Sequence, residues 1–301
     1  MPGFEGIAVA AICPRRETGH EIDLARALEV LDFLAPYKVS GIAVMGSTGE
    51  FIHFDMEERM RLTQMAVKRS GVPIIASVIH STLHGTIKLA EEAEHAGAAA
   101  VLVMPPYYFR YNQPEIEEFY RRFRDQADVD IPIYLYNIPF FTSTLESSTA
   151  CRLLGTGEFA GIKDSSGDMA YYEALEAQRA ITPFNLMIGN DVIYTRARSI
   201  KADGVISGVA CAIPELMQGL DKAVVAKNEA KTQVLEARLQ EFIARLGDFP
   251  APIGVREAVA ARGLKIGPHY GPLAPETQGK LDAFRGWLKD WIPTVINEAR
   301  F

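Results

Sequence analysis

An amine adds to a carbonyl carbon only in its neutral form, and one lysine of this chain ends an apolar run, where that form is expected to be favoured. Lys163 closes the apolar run Phe159-Ala160-Gly161-Ile162-Lys163-Asp164. An ammonium taken out of water into apolar surroundings loses hydration, so its pKa falls and part of it becomes nucleophilic, as a Schiff-base lysine requires. The other lysines act as a control: Lys38 and Lys201 precede apolar runs, while Lys68, Lys88, Lys222, Lys227 and Lys289 lie in or beside segments of helical periodicity. The non-catalytic reading of Lys163 is a lysine paired with the adjacent Asp164 or reaching a rim.

The run before it ends Tyr134-Leu135-Tyr136-Asn137-Ile138-Pro139, with Tyr134, Tyr136 and Ile138 on one side of an extended strand. A tyrosine hydroxyl beside an imine carbon can pass protons as the carbinolamine and imine form. A core tyrosine with one satisfied hydrogen bond is the bland reading. Farther upstream, Gly46-Ser47-Thr48-Gly49-Glu50 places two small hydroxyl residues between glycines, leaving backbone N–H groups open to a carboxylate, with a helix N-terminus expected next. His80 with His84, and Glu50 with His53, could be drawn as a divalent metal site, but no HExxH or comparable ligand set accompanies them, and no metal or cofactor is expected. The aromatic stretch Tyr107-Tyr108-Phe109-Arg110-Tyr111 suits either a subunit contact or a loop packed on its own domain.

What must position these groups is legible as a repeat. Short, continuously apolar runs recur at residues 6–12, 41–45, 73–79, 100–104, 132–138, 159–163, 186–188 and 204–209, with helical periodicity between them at 55–70, 82–96 and 114–127. Strands apolar on both faces and alternating with helices imply parallel pairing, and eight βα units close a TIM barrel. From residue 215 onward no ninth strand is predicted, and 223–246, 254–262 and 277–299 read as helices. The expected organisation is a (β/α)8 barrel over 1–214, then the last barrel helix and a C-terminal helical extension over 215–301. A doubly wound sheet would show a glycine-rich phosphate fingerprint after its first strand, where this chain has Cys13-Pro14-Arg15-Arg16.

Composition narrows the classes. A net charge of −7 over 301 residues, with no long Lys/Arg block, disfavours a nucleic-acid partner. No apolar stretch is long enough for a bilayer and the start lacks the pattern of a signal peptide, so a cytoplasmic protein without a membrane partner is expected. Cys13, Cys151 and Cys211 are odd in number, lack CxxC spacing and are expected to be reduced core residues.

Taken together, the 46–50 pentapeptide, Pro105-Pro106-Tyr107-Tyr108, Tyr136-Asn137-Ile138-Pro139, Gly161-Ile162-Lys163-Asp164 and Gly204-Val205-Ile206-Ser207 resemble the dihydrodipicolinate synthase/N-acetylneuraminate lyase family, in order and spacing from about residue 6 to 214 and on to Pro272-Leu273. The resemblance implies that Lys163 forms the imine and that Tyr136 is the general acid/base. It makes Ser47 and Tyr108 a proton relay, with Tyr108 reaching in from a neighbouring subunit. It also implies that the N–H groups of Ser47 and Thr48 hold the keto-acid carboxylate, that Gly189 and Ile206 line the pocket, and that the protein is a homotetramer built as a dimer of dimers.

Departures matter as much. Where the synthase has an arginine two residues after its proline, binding a substrate carboxylate, this chain has Phe141. Where the sialic acid lyase has an acidic residue and a serine, it has Val192 and Gly208. Phe51 and Lys163-Asp164-Ser165-Ser166 resemble the 2-keto-3-deoxy sugar acid aldolases and dehydratases of the family. The expected activity is therefore a cofactor-free Schiff-base lyase acting on pyruvate or a 2-keto(-3-deoxy) acid by aldol cleavage, condensation or dehydration. Asp191, Ser165, Ser166 and Phe141 are expected to read the substrate's distal end. A 4-hydroxy-tetrahydrodipicolinate synthase stands second, with a non-catalytic keto-acid-binding paralogue and a metal-dependent aldolase as further alternatives.

Overall fold

The computed structural model describes residues 3–300. Eight parallel strands, β1 (Gly6–Ala10), β2 (Gly41–Val44), β3 (Ile74–Ser77), β4 (Ala100–Val103), β5 (Ile133–Asn137), β6 (Gly161–Asp164), β7 (Asn185–Ile188) and β8 (Gly204–Ser207), succeed one another around a closed barrel in which β8 pairs back with β1. The expected TIM barrel is the fold of this chain. Between the strands lie α1 (Leu24–Leu34), α2 (Met56–Arg69), α3 (Leu83–Ala96), α4 (Gln113–Gln126), α5 (Ser147–Gly155), α6 (Met169–Arg179) and α7 (Tyr194–Ser199). After β8 come α8 (Val209–Ala212), α9 (Pro214–Val225), α10 (Glu229–Leu246), α11 (Ile253–Ala261) and α12 (Pro275–Glu298).

Apart from Asn185 at the start of β7, the strands are buried along their length because each has two covered faces. Ala8, Ala43, Ile75, Leu102, Tyr134, Tyr136, Met187 and Ile206 pack inside the barrel, whereas Ile7, Ile42, Ile74, Val101, Leu135, Ile162 and Val205 pack against the helices. Period-two alternation within an all-apolar run thus sorts side chains between two dry compartments. The barrel closes at a tight seam: a β-carbon on Gly204 would overlap the carbonyl of Gly6, so a side chain there would push β8 off β1.

Helix ends obey local chemistry. Asp55, Thr82 and Asn112 cap α2, α3 and α4 by accepting from the N–H groups of Glu58, Gly85 and Glu115. Ile116, Phe119, Tyr120 and Phe123 bury one stripe of α4, each such side chain stabilising by roughly 1.5–3 kcal/mol. The Tyr120 hydroxyl, donating to the carbonyl of Val103 at 2.9 Å, ties that helix to β4.

Two expectations need correction. The helix expected over 223–246 is two helices, because Lys227 adopts a left-handed backbone at φ 54° and Asn228 caps a new start through the N–H of Lys231. Cys151 is only partly buried, whereas Cys13 and Cys211 lie in the core. Among the described residues no helix is long and apolar enough to cross a membrane.

Candidate active site

Strand alternation decides where Lys163 points. Its neighbours Ile162 and Asp164 face the helices, so Lys163 projects into the barrel. Asp164 is not its partner: one carboxylate oxygen accepts from the Asn137 amide at 2.8 Å and the other from the Ser166 hydroxyl at 2.7 Å. Among the described residues no carboxylate forms an ion pair with Lys163, which is 6% exposed. The non-catalytic pairing is thereby removed.

Parallel register does the rest. Tyr136 on β5 stands directly beside Lys163 on β6, which stands beside Met187 on β7. The lysine Nζ lies 4.4 Å from the centre of the Tyr136 ring, and the Tyr136 hydroxyl lies 3.4 Å from Ser47 Oγ, within hydrogen-bond reach. Amine, phenol and hydroxyl form a continuous file from β6 across β5 to the loop after β2.

That loop holds the second half of the site. The N–H of Glu50 donates to the Ser47 carbonyl and that of Phe51 to Gly46, giving a tight turn in which Glu50 itself is left-handed at φ 53°. Among the described residues neither the Ser47 nor the Thr48 N–H has a partner within the chain, so both remain available to an anion. The expected helix N-terminus does not come at once: a three-residue 3₁₀ turn, Phe51–His53, intervenes and α2 begins at Met56. What this loop offers an anion is therefore turn amides, not a helix dipole.

These groups open into a cavity of about 280 Å³ at the C-terminal ends of the strands. Ser47, Thr48, Tyr136, Phe141, Lys163, Ser165, Gly189, Asp191 and Ile206 all line it, so the structure gathers nearly every residue that the sequence singled out. Two residues are exceptions: Ser166 spends its hydroxyl and N–H on Asp164 and does not line the cavity, and Tyr108 is 85% exposed, with Phe109 packed edge-on against it, and does not reach the cavity of its own chain. Tyr107 does pack on its own barrel, edge-on to Phe51 at 5.5 Å. Sequence reasoning missed the outer wall, formed by Phe140, Ile243, Leu246, Pro252 and Val255, because α10 and α11 carry no motif.

Among the described residues the buried Oδ1 of Asp191 has no hydrogen-bond partner. Burial lifts its carboxyl to about 6, while the Ser207 hydroxyl, the Val209 N–H and the Lys163 charge pull it down. No group of three His, Cys, Asp or Glu side chains that could hold a metal comes together among the described residues. His80 Nδ1 lies 3.1 Å from the N–H of Thr82, and Glu50 is engaged by Arg15 and Arg256.

Gly189 leaves no room beside the lysine. A β-carbon there would stand 2.8 Å from Lys163 Cε and closer still to Ser165 Oγ. Gly189→Ala is expected to turn the lysine aside and to slow imine formation with pyruvate by about 10²-fold, the scale of an ångström of misplacement, without loss of fold. Rates of borohydride trapping compared with the wild type, alongside circular dichroism, check this; an unchanged trapping rate would contradict it.

The model of the dihydrodipicolinate synthetase family matches residues 3–290. The chain belongs to that family. Relatives of this dihydrodipicolinate synthetase family member include the 4-hydroxy-tetrahydrodipicolinate synthase of Nitrosospira multiformis, 35% identical over 265 residues and 87% of each chain. The 4-hydroxy-tetrahydrodipicolinate synthase of Methanoculleus marisnigri is 30% identical over 286 residues, 94% of this chain and 97% of its own. The chloride-inhibited dihydrodipicolinate synthase of Acinetobacter baumannii, solved with pyruvate, superposes with a TM-score of 0.84 at 26% identity over 95% of this chain and 99% of its own. As a family member the chain is an enzyme, a class I lyase. The relatives' names favour the synthase, which the Phe141 departure had placed second, over the sugar-acid reading placed first.

Proposed function

We propose that this enzyme joins or splits the C3–C4 bond of a 2-keto acid, one carbon beyond the keto group, through an imine between Lys163 and pyruvate or a larger 2-keto acid. The observation that carries the reading is the file formed by a buried Lys163, which makes no ion pair among the described residues, with Tyr136 and Ser47. The neutral amine adds to the keto carbon, and Tyr136 supplies the proton with which the carbinolamine oxygen leaves as water. The protonated imine then withdraws the electron pair released when a C3 proton or the C3–C4 bond is lost, giving an enamine. The reverse direction joins that enamine to an aldehyde. The Ser47 and Thr48 N–H groups would hold the carboxylate throughout.

For the partner of pyruvate, the relatives' names support condensation to 4-hydroxy-tetrahydrodipicolinate. A second reading, cleavage or dehydration of a 2-keto-3-deoxy sugar acid, is favoured by Phe141: the synthase product carries two carboxylates, and the second would meet a phenyl ring where a guanidinium is needed. Borohydride trapping with pyruvate, then peptide mapping to Lys163, tests the imine. Formation of 4-hydroxy-tetrahydrodipicolinate, set against pyruvate release from a panel of 2-keto-3-deoxy sugar acids, separates the two. No adduct on Lys163 would end the proposal.

A homotetramer, built as a dimer of dimers, is the assembly that would carry Tyr108 into a neighbour's site. Tyr136→Phe is expected to lower kcat by about 10²–10⁴-fold, the range for a general acid/base. Subunits carrying Tyr108→Phe, mixed with Tyr136→Phe subunits, should regain activity above either parent if the relay crosses subunits. No recovery after verified exchange would confine each site to one chain.

A further inference from the structure

The cavity has two halves of different chemistry. The polar groups gather around Lys163, while the outer wall is built from Phe140 and Phe141 after β5, Val192 after β7, Ile243 and Leu246 of α10, and Val255 of α11. Phe140, Phe141 and Val192 are 69%, 55% and 47% exposed, so apolar surface is held open at the entrance. A contiguous patch of this kind on an enzyme rim is a recognition surface more often than an accident. Among the described residues Lys163 is the only basic side chain lining the cavity, and its nitrogen is committed to the keto carbon. Arg256, buried nearby in the chain fold, is turned to Glu50 and to backbone carbonyls. The acidic group facing the cavity is Asp191, whose Oδ1 lacks a partner among the described residues.

The geometry points to a substrate whose distal end is uncharged and apolar, an alkyl or aryl tail beyond C4, with Asp191 oriented to accept from a hydroxyl near the bond that reacts. This inference rests on the imine reading and deepens it. A distal carboxylate or phosphate would give up water against two phenyl rings, meet the Asp191 carboxylate, and find no guanidinium in compensation. An apolar tail gains on the same wall, roughly fourfold in affinity for each methylene buried.

The test uses two 2-keto acids of equal length, 2-oxohexanoate with a methyl end and 2-oxoadipate with a carboxylate end, and reads borohydride trapping on Lys163 by intact mass at pH 8. Pyruvate runs in parallel. We expect 2-oxohexanoate to reach half-maximal trapping at a concentration at least tenfold lower than 2-oxoadipate. Phe141→Arg and, separately, Val192→Lys at an exposed rim position should each cut that ratio tenfold or reverse it; Asp191→Asn should relax it. Equal trapping of the two acids, or better trapping of 2-oxoadipate, would overturn the inference and return the site to substrates with two anionic ends. Trapping of pyruvate with neither longer acid would overturn it as well. Absence of trapping with pyruvate would instead strike the imine reading on which it stands.

Discussion

Replacement of Lys163 by alanine is expected to abolish the borohydride adduct with pyruvate and to lower kcat on the order of 10⁴-fold or more, as the removal of a covalent nucleophile does elsewhere. Lys163→Arg should be equally inactive. It preserves the positive charge over the Tyr136 ring, but a guanidinium stays protonated at any workable pH and forms no imine. The pair of variants therefore separates nucleophile from electrostatic prop. Both should keep the barrel, since in the parent Lys163 holds no carboxylate in an ion pair among the described residues. Steady-state rates with melting curves for each variant decide the matter; retention of more than a tenth of the activity by Lys163→Arg would remove the imine from the mechanism.

Glu50→Gln is expected to destabilise the fold by about 3–5 kcal/mol, the scale for stripping one partner from buried ions. Its carboxylate lies 3.2 Å from Arg15 Nη2 and 2.9 Å from Arg256 Nη1, and both arginines are fully buried. Without it two buried guanidinium groups would lose the one carboxylate that, among the described residues, forms an ion pair with each. The damage reaches the active site because Glu50 ends the turn that presents the Ser47 and Thr48 N–H groups, while Arg256 also grips the carbonyls of Cys13 and Ile266. Half-saturation by pyruvate should accordingly rise in parallel. Adding Arg256→Met to Glu50→Gln should restore part of the stability by removing one stranded charge. Urea midpoints measure both effects, and a Glu50→Gln shift below about 0.5 kcal/mol would show that the cluster tolerates an uncompensated charge.

Much of this site could be read from local pattern. A lysine at the end of an apolar run, in a chain with eight such runs, reads as a candidate amine at the mouth of a barrel. Glycines flanking two hydroxyl residues announce open amides. The helix expected from residue 55 is there, capped by Asp55, but the 3₁₀ turn Phe51–His53 between it and the loop went unread, and it keeps the helix N-terminus away from the open amides. The Arg15–Glu50–Arg256 cluster also went unread. Its one trace was a charged Arg256-Glu257 pair inside the otherwise apolar stretch of α11, and nothing local says what such a pair will meet.

The barrel, the family and a candidate for the reacting amine were legible in the chain alone, because continuous burial, βα alternation and motif order are properties of neighbours along it. Only the tertiary structure decided that Lys163 turns inward while Asp164 turns out, that Tyr136 lies beside it in register, and that α10 and α11 supply an apolar wall. Those facts depend on strand pairing, barrel closure and the docking of helices some eighty residues downstream of Lys163. Contacts of that span are set by packing of the whole chain and leave no periodic mark in the residues that make them.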